Sequence, residues 1–483
     1  MRRALLVGLV GLICLSPTAS FALDRVVNPL ISQGDGVTVF PTIEQAFAAC
    51  EEGDRVLIKV GVYEEQALSV GVGITLMPLE EVGNVIIRSN VTMTSLASSL
   101  IRFERIRTEE YSISIAGSGN DFTLEFEDSQ TTTLTLNHEG DNQTTVVTGS
   151  DFQTLNLNGS GDSKRVDVTH STASGSCVVS GNGNSRDSNV WDCAIGTLRC
   201  SGNGSENHFT AYRNDLGTFL VEGNGSTVEE TRCQAHVKDC TITGDCSVNI
   251  NGWDLEMVRN TVSGTTTYRY GNVVQCGLGN VVLNDEAGTA TETHRHSIIQ
   301  NTMNNLTLSN DNAHFRVANN ALNGLTVNNL RGDLTRHNDI VNNEFGGSNS
   351  VSFLSNPSQW NVRFVNNTFS GNPSLGSFPN ASVAGSFEWS YNTHGLPFVD
   401  TGSGDPLVYN ERENNADQVD AGHPGHEFYD PDGTLNDKGR AGGPFGSANF
   451  PDGTGLDAAV FDLELPSDFY QGISVPVEVK THH

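Results

Sequence analysis

Small-residue turns recur along this chain of 483 residues at a nearly constant step. The clearest copies are Gly181-Asn182-Gly183, Gly202-Asn203-Gly204 and Gly223-Asn224-Gly225. Earlier copies at Gly119, Gly140 and Gly161 lead into Gly183, Gly204 and Gly225 by steps of 21, 21, 22, 21 and 21 residues. Self-similarity at such a period marks a solenoid, in which a repeat can bury its apolar face only against its neighbours. The step constrains architecture far more than it constrains function.

The residues between the turns show which solenoid to expect. One column reads Leu134, Leu155, Cys177, Leu198, Phe219, Cys240, and a second, two residues on, reads Leu136, Leu157, Val179, Cys200, Val221, Ile242. Apolar residues at i and i+2 with polar ones between describe a strand with alternate side chains inward. A third column, Phe126, Val147, Val168, Val190, Ala211, supplies a second strand per coil. Short strands separated by Gly/Asn turns, with no room for a helix, predict an all-β parallel β-helix of about 21 residues per coil. Ankyrin and TPR repeats need more than about 30 residues. The leucine-rich signature is absent.

Residues 1–22 carry Arg2 and Arg3, then an apolar run and a small-residue cleavage site at Ser20 and Ala22, which reads as a secretory signal peptide. No other stretch is apolar enough to span a membrane, so the mature chain is expected to be secreted, without membrane insertion. A net charge of −30 repels nucleic acid and anionic membranes and disfavours a purely electrostatic grip on a polyanionic sugar. Eight cysteines remain after such processing. In an oxidising compartment some disulfides are expected, although inward columns also suit Cys as a small hydrophobe.

Residues 23–53 read as an entry strand and a short capping helix. Thr42 is a suitable N-cap with Gln45 three residues on, and Ile43, Ala46, Phe47 and Cys50 form one apolar stripe. With Gly53-Asp54, Val56, Gly61 and Tyr63, the run 42–65 resembles the entry segment of secreted right-handed parallel β-helix proteins, the pectate-lyase-like superfamily. The resemblance implies right-handed coils over residues 54–400. Residues 401–483 form an irregular Asp/Gly-rich tail, similar in part to a closing segment of bacterial secreted β-helix proteins. After residue 251 an apolar-x-Asn-x-apolar theme takes over, with Asn260, Asn280, Asn301 and Asn320 at steps of 20, 21 and 19.

Three places could carry chemistry. The row Asn182, Asn203, Asn224 reads as a stacked structural ladder, the competing reading being a sugar-binding row. Asp430, Asp432 and Asp437 are candidate calcium ligands, although Gly433 does not fall where an EF-hand places its glycine; hydrogen-bonded Asx turns are the alternative. The segment 264–296 concentrates unusual side chains. Here Tyr268, Arg269, Glu292, His294 and His296 are candidate catalytic groups, and Tyr268, Tyr270 and Arg295 candidate sugar contacts; the competing reading is a surface loop.

The catalytic motifs of the resembled superfamily, polygalacturonase, pectin methylesterase and pectate lyase alike, are not found in this chain. The expected function is therefore a secreted scaffold that binds polysaccharide or cell-surface glycan, with calcium the one candidate cofactor. A polysaccharide lyase or glycoside hydrolase with an unfamiliar site is the alternative. A purely structural stalk is the third reading.

Overall fold

The computed structural model describes residues 22–94, 99–226, 232–285, 295–310, 314–328, 338–346, 351–353, 359–370, 384–390, 392–394, 422–424, 438, 459–464 and 478–482. They form a right-handed parallel β-helix with about 21 residues per coil. The single helix among the described residues is Ile43–Ala49. The chain divides into two compact units, Met1–Val146 and Val147–His483.

In the first unit the helix starts where the sequence predicts. Thr42 Oγ1 accepts the N–H of Gln45 at 3.3 Å, and Glu65 Oε1 accepts that of Ile43 at 3.0 Å, so two of the free N–H groups of the first turn are satisfied. Its buried face, Ile43, Ala46 and Phe47, packs on the first strands. The Gly53-Asp54 turn has a physical role. Asp54 is buried and accepts from Leu23 N (2.8 Å), Glu51 N (2.9 Å) and Arg25 Nε (2.8 Å). Burial alone would raise its carboxyl; the Glu51 and Leu23 amides and the Arg25 guanidinium outweigh that and hold it below the usual carboxylate range.

In the second unit each coil contributes a strand to each of two parallel sheets. The first sheet stacks Arg165–Thr169, Asp187–Trp191, His208–Tyr212, Cys233–Lys238, Trp253–Val258 and Tyr270–Val274 in register, continuing to Ala384–Ser390. The second stacks Asp151–Asn158, Thr172–Ser180, Ala194–Ser201 and Asp215–Glu222. Inward side chains from both sheets meet between them, as where Phe209 and Phe219 approach at 5.6 Å between ring centroids. Each such fully buried side chain contributes about 1.5–3 kcal/mol.

The Gly/Asn turns stack directly. Asn203 N and Nδ2 both donate to Asn182 Oδ1 (3.2 and 3.0 Å), and Asn224 N donates to Asn203 Oδ1 (2.8 Å). A Cβ on Gly204, whose φ is +151°, would lie 1.9 Å from Gly183 O. The turn glycine is thus required by the approach of the coil below as well as by its own backbone.

A second, buried ladder runs along the corner between the sheets, and it corrects the predicted columns. Cys193, Asn214, Cys240, Asn260, Cys276, Asn301, Asn320, Asn343, Asn367 and Asn392 occupy one line. Each backbone N–H from Cys193 to Asn367 donates to the next residue's side chain, from Cys193 N to Asn214 Oδ1 at 2.9 Å through to Asn367 N to Asn392 Oδ1 at 2.9 Å. Cys240 therefore belongs to the corner, and Cys246 pairs with Phe219 in the inward column. Ile242 pairs with Leu216 instead of Val221. Asn280 is exposed beside Asn305, and Cys276 fills the rung between Asn260 and Asn301. The evenly spaced asparagine count hid a coil of 16 residues followed by one of 25. The eight described thiols are all free, with no disulfide among the described residues.

Candidate functional site

In the first sheet of the second unit, the alternation that turns Val190, Ala211 and Val237 inward turns the next residue of each strand outward. Trp191, Tyr212 and Lys238 are register partners on three successive strands, a strand spacing of about 4.8 Å apart. Trp191 is 42% exposed, the highest of any described aromatic side chain among the large exposed hydrophobics. The Arg213 guanidinium lies 4.5 Å from the centroid of the Tyr212 ring, and Lys238 Nζ lies 5.7 Å from it.

The Arg213 cation is tethered. Asp192 accepts from Arg213 Nε and Nη2, both at 2.7 Å, with His170 Nε2 3.7 Å away. The hydrogen bonds to Arg213 hold the Asp192 carboxyl below its usual range and raise the guanidinium. This bidentate pair sits on a corner residue with φ near +52° and fixes the Arg plane beside Tyr212. The patch thus presents aromatic faces with the Arg213 charge already paired.

One row over, Asn189, Thr210, His236 and Glu256 also face outward in register. His236 is oriented on both sides: its Nδ1 lies 2.6 Å from Glu256 Oε2 and its Nε2 lies 3.1 Å from Gln234 Oε1. With both ring nitrogens engaged, the imidazole has a fixed orientation on the sheet face.

The site residues expected from sequence are placed differently. Tyr268 and His296 are each 0% exposed. Tyr268 points inward in the second sheet, in register with Val248 and Leu283. His296 is in the core beside Gly271, whose N–H donates to its Nδ1 at 3.3 Å. Tyr270 is buried, its ring capped by the Arg232 guanidinium at 4.2 Å and near-parallel to His296 at 6.2 Å. Arg269 donates to Asn251 Oδ1. Arg295 lies in the strand Arg295–Ile299. Glu292, His294, Asp430, Asp432 and Asp437 lie outside the described residues. Among the described residues no group of three or more His, Cys, Asp or Glu is placed to hold a metal ion. Tyr270 and His296 come together as packed interior and not as a surface, and Tyr268 is buried in the other sheet. Tyr268 and His296 cannot touch a soluble sugar without opening the coil.

Fold and surface together define a parallel β-helix with an open aromatic and imidazole-bearing sheet face. Comparison with protein-family models, with curated proteins and with solved structures finds no match. No helix among the described residues is long and apolar enough to cross a membrane.

Proposed function

We propose that the protein is a secreted β-helix scaffold, of pectate-lyase-like descent, that binds a neutral glycan on the face carrying Trp191 and Tyr212. The observation that carries this reading is the pair of outward aromatic side chains in register on neighbouring strands of one sheet. The C–H faces of a pyranose carry slight positive charge and stack on the negative face of an aromatic ring. Asn189 and Thr210 stand in the adjacent outward row to meet its hydroxyls. A strongly negative chain whose Arg213 is already paired favours a neutral sugar over a uronate.

A panel of neutral and uronate-containing polysaccharides, incubated with the mature protein with and without calcium, tests the reading. Binding of a neutral glycan without new reducing ends is expected. Trp191→Ala should weaken that binding about tenfold or more, equivalent to ~1.4 kcal/mol. Unchanged affinity in both Trp191→Ala and Tyr212→Ala would remove this face from consideration. New reducing ends or unsaturated uronates that disappear in His236→Ala would instead favour a hydrolase or lyase, a second reading supported by the His236–Glu256 pair.

A further inference from the structure

The outward row that carries Trp191, Tyr212 and Lys238 does not stay open. In register beyond Lys238 it continues as Val258, Val274, Ile299, Ala318, Val341 and Val365. These residues alternate with inward-facing Met257, Val273, Ile298, Val317, Ile340 and Phe364, so they stand on the outer surface of the sheet. Yet they are only 0–8% exposed and form a continuous apolar cluster. The neighbouring corner column changes in step. Upstream it holds the ion pairs Asp192–Arg213 and Asp239–Arg259; downstream it holds Gln300, Asn342 and Asn366, all buried. An outer sheet face that is apolar and dry must be covered by other chain.

One described contact indicates what covers it. The N–H of His423 donates to Asn366 Oδ1 at 2.8 Å, and Gly422 beside it is buried. Asn366 directly follows Val365, the last of the six stripe residues. We propose that the C-terminal segment at residues 422–424 docks on the far end of this stripe, covering the outer face of the sheet at Val341 and Val365. The exchange of ion pairs for amides suits that occupant, because Gln and Asn can hydrogen-bond an extended backbone with no charge left buried. The docking does not depend on the glycan reading above.

The test uses the full chain and brief trypsin exposure followed by mass spectrometry. Val341→Asp places a charge under the segment, and His423→Pro removes the N–H that reaches Asn366 without touching any coil. Each should raise cleavage after Arg412 and Lys438 about tenfold, as expected when a docked segment opens locally. Far-UV circular dichroism should be unchanged in His423→Pro, and Thr210→Asp, on the open part of the same sheet, should leave the cleavage rate as it was. Unchanged cleavage in His423→Pro overturns the proposal. So does cleavage in Val341→Asp that shifts to Arg331 and Arg336 alone, which would make that stretch of chain the cover instead. A doubled mass in solution, lost in Val341→Asp, would overturn it in favour of a second copy.

Discussion

Trp191 and Tyr212 lie one residue beyond Val190 and Ala211, which the 21-residue step marks as inward. Their outward direction was therefore legible in the sequence, as a column shifted by one. It was masked by the contrast of Tyr268, Tyr270 and His296, which are buried in the interior. Composition alone does not distinguish a ring that stacks on a ligand from a ring that fills a core. The thiols show the same ambiguity: the even cysteine count suggested disulfides, whereas the structure uses single thiols as packing atoms and ladder rungs. Burial pushes Cys193 and Cys240 up to about 11, and Cys200 and Cys276 up to about 12. Raised in the folded state, such groups contribute stability that is complete below the unfolded thiol value near about 8.5 and lost as pH rises through the folded values. Thermal unfolding should accordingly move to lower temperature between about pH 9 and 11. At pH 8, iodoacetamide should label the folded chain slowly, at half-buried Cys50 first, and label every thiol on denaturation. An intact mass short by two hydrogens per cysteine pair would show disulfides and contradict this picture.

The coil corner is the element that sets the register of the second unit. Asn320 donates through Nδ2 to Ile298 O (2.7 Å), Ala318 O (3.0 Å) and Asn343 Oδ1 (3.0 Å), and its own Oδ1 accepts from Asn301 N at 2.9 Å. Asn320→Ala leaves several of these buried groups unpaired and should cost about 2–4 kcal/mol in urea unfolding. Asn320→Cys should cost less than Asn320→Ala, because Cys193, Cys240 and Cys276 already serve as rungs, accepting a backbone N–H or donating to a carbonyl two residues back. Equal losses for the two substitutions would mean that the rung contributes by volume and not by hydrogen bonding. The existence of this row was legible in the recurring asparagines after residue 251. Its membership was not, because a Cys rung breaks the residue pattern and coils of 16 to 26 residues break the step. Only the chain-to-chain N–H contacts reveal that Cys276, and not Asn280, is next in line.

For the whole molecule, net charge decides which ligands approach. At −30, a polyanion meets repulsion that salt relieves, whereas a neutral glycan held by stacking and hydroxyl contacts does not. Glycan affinity should therefore change by less than about twofold between 0.05 and 0.5 M NaCl, measured by calorimetry; a rise with salt would indicate an anionic sugar. The solenoid itself was legible from spacing alone, since stacking repeats need a fixed period. The covered stripe was not, because alternating valines at outward positions look in sequence like a strand buried on both faces, and nothing local says by what. The corner ladder has a consequence for how such a chain can grow. Every interior rung presents an acceptor to the coil before it and an N–H to the coil after it, so both ends of any coil carry the same complementary halves. A segment copied from one rung to the next would close its own hydrogen bonds wherever it was inserted, whether it spanned 16 residues or 25. Tandem duplication can therefore lengthen this protein, and loops can diversify between rungs, without any compensating change at the joins.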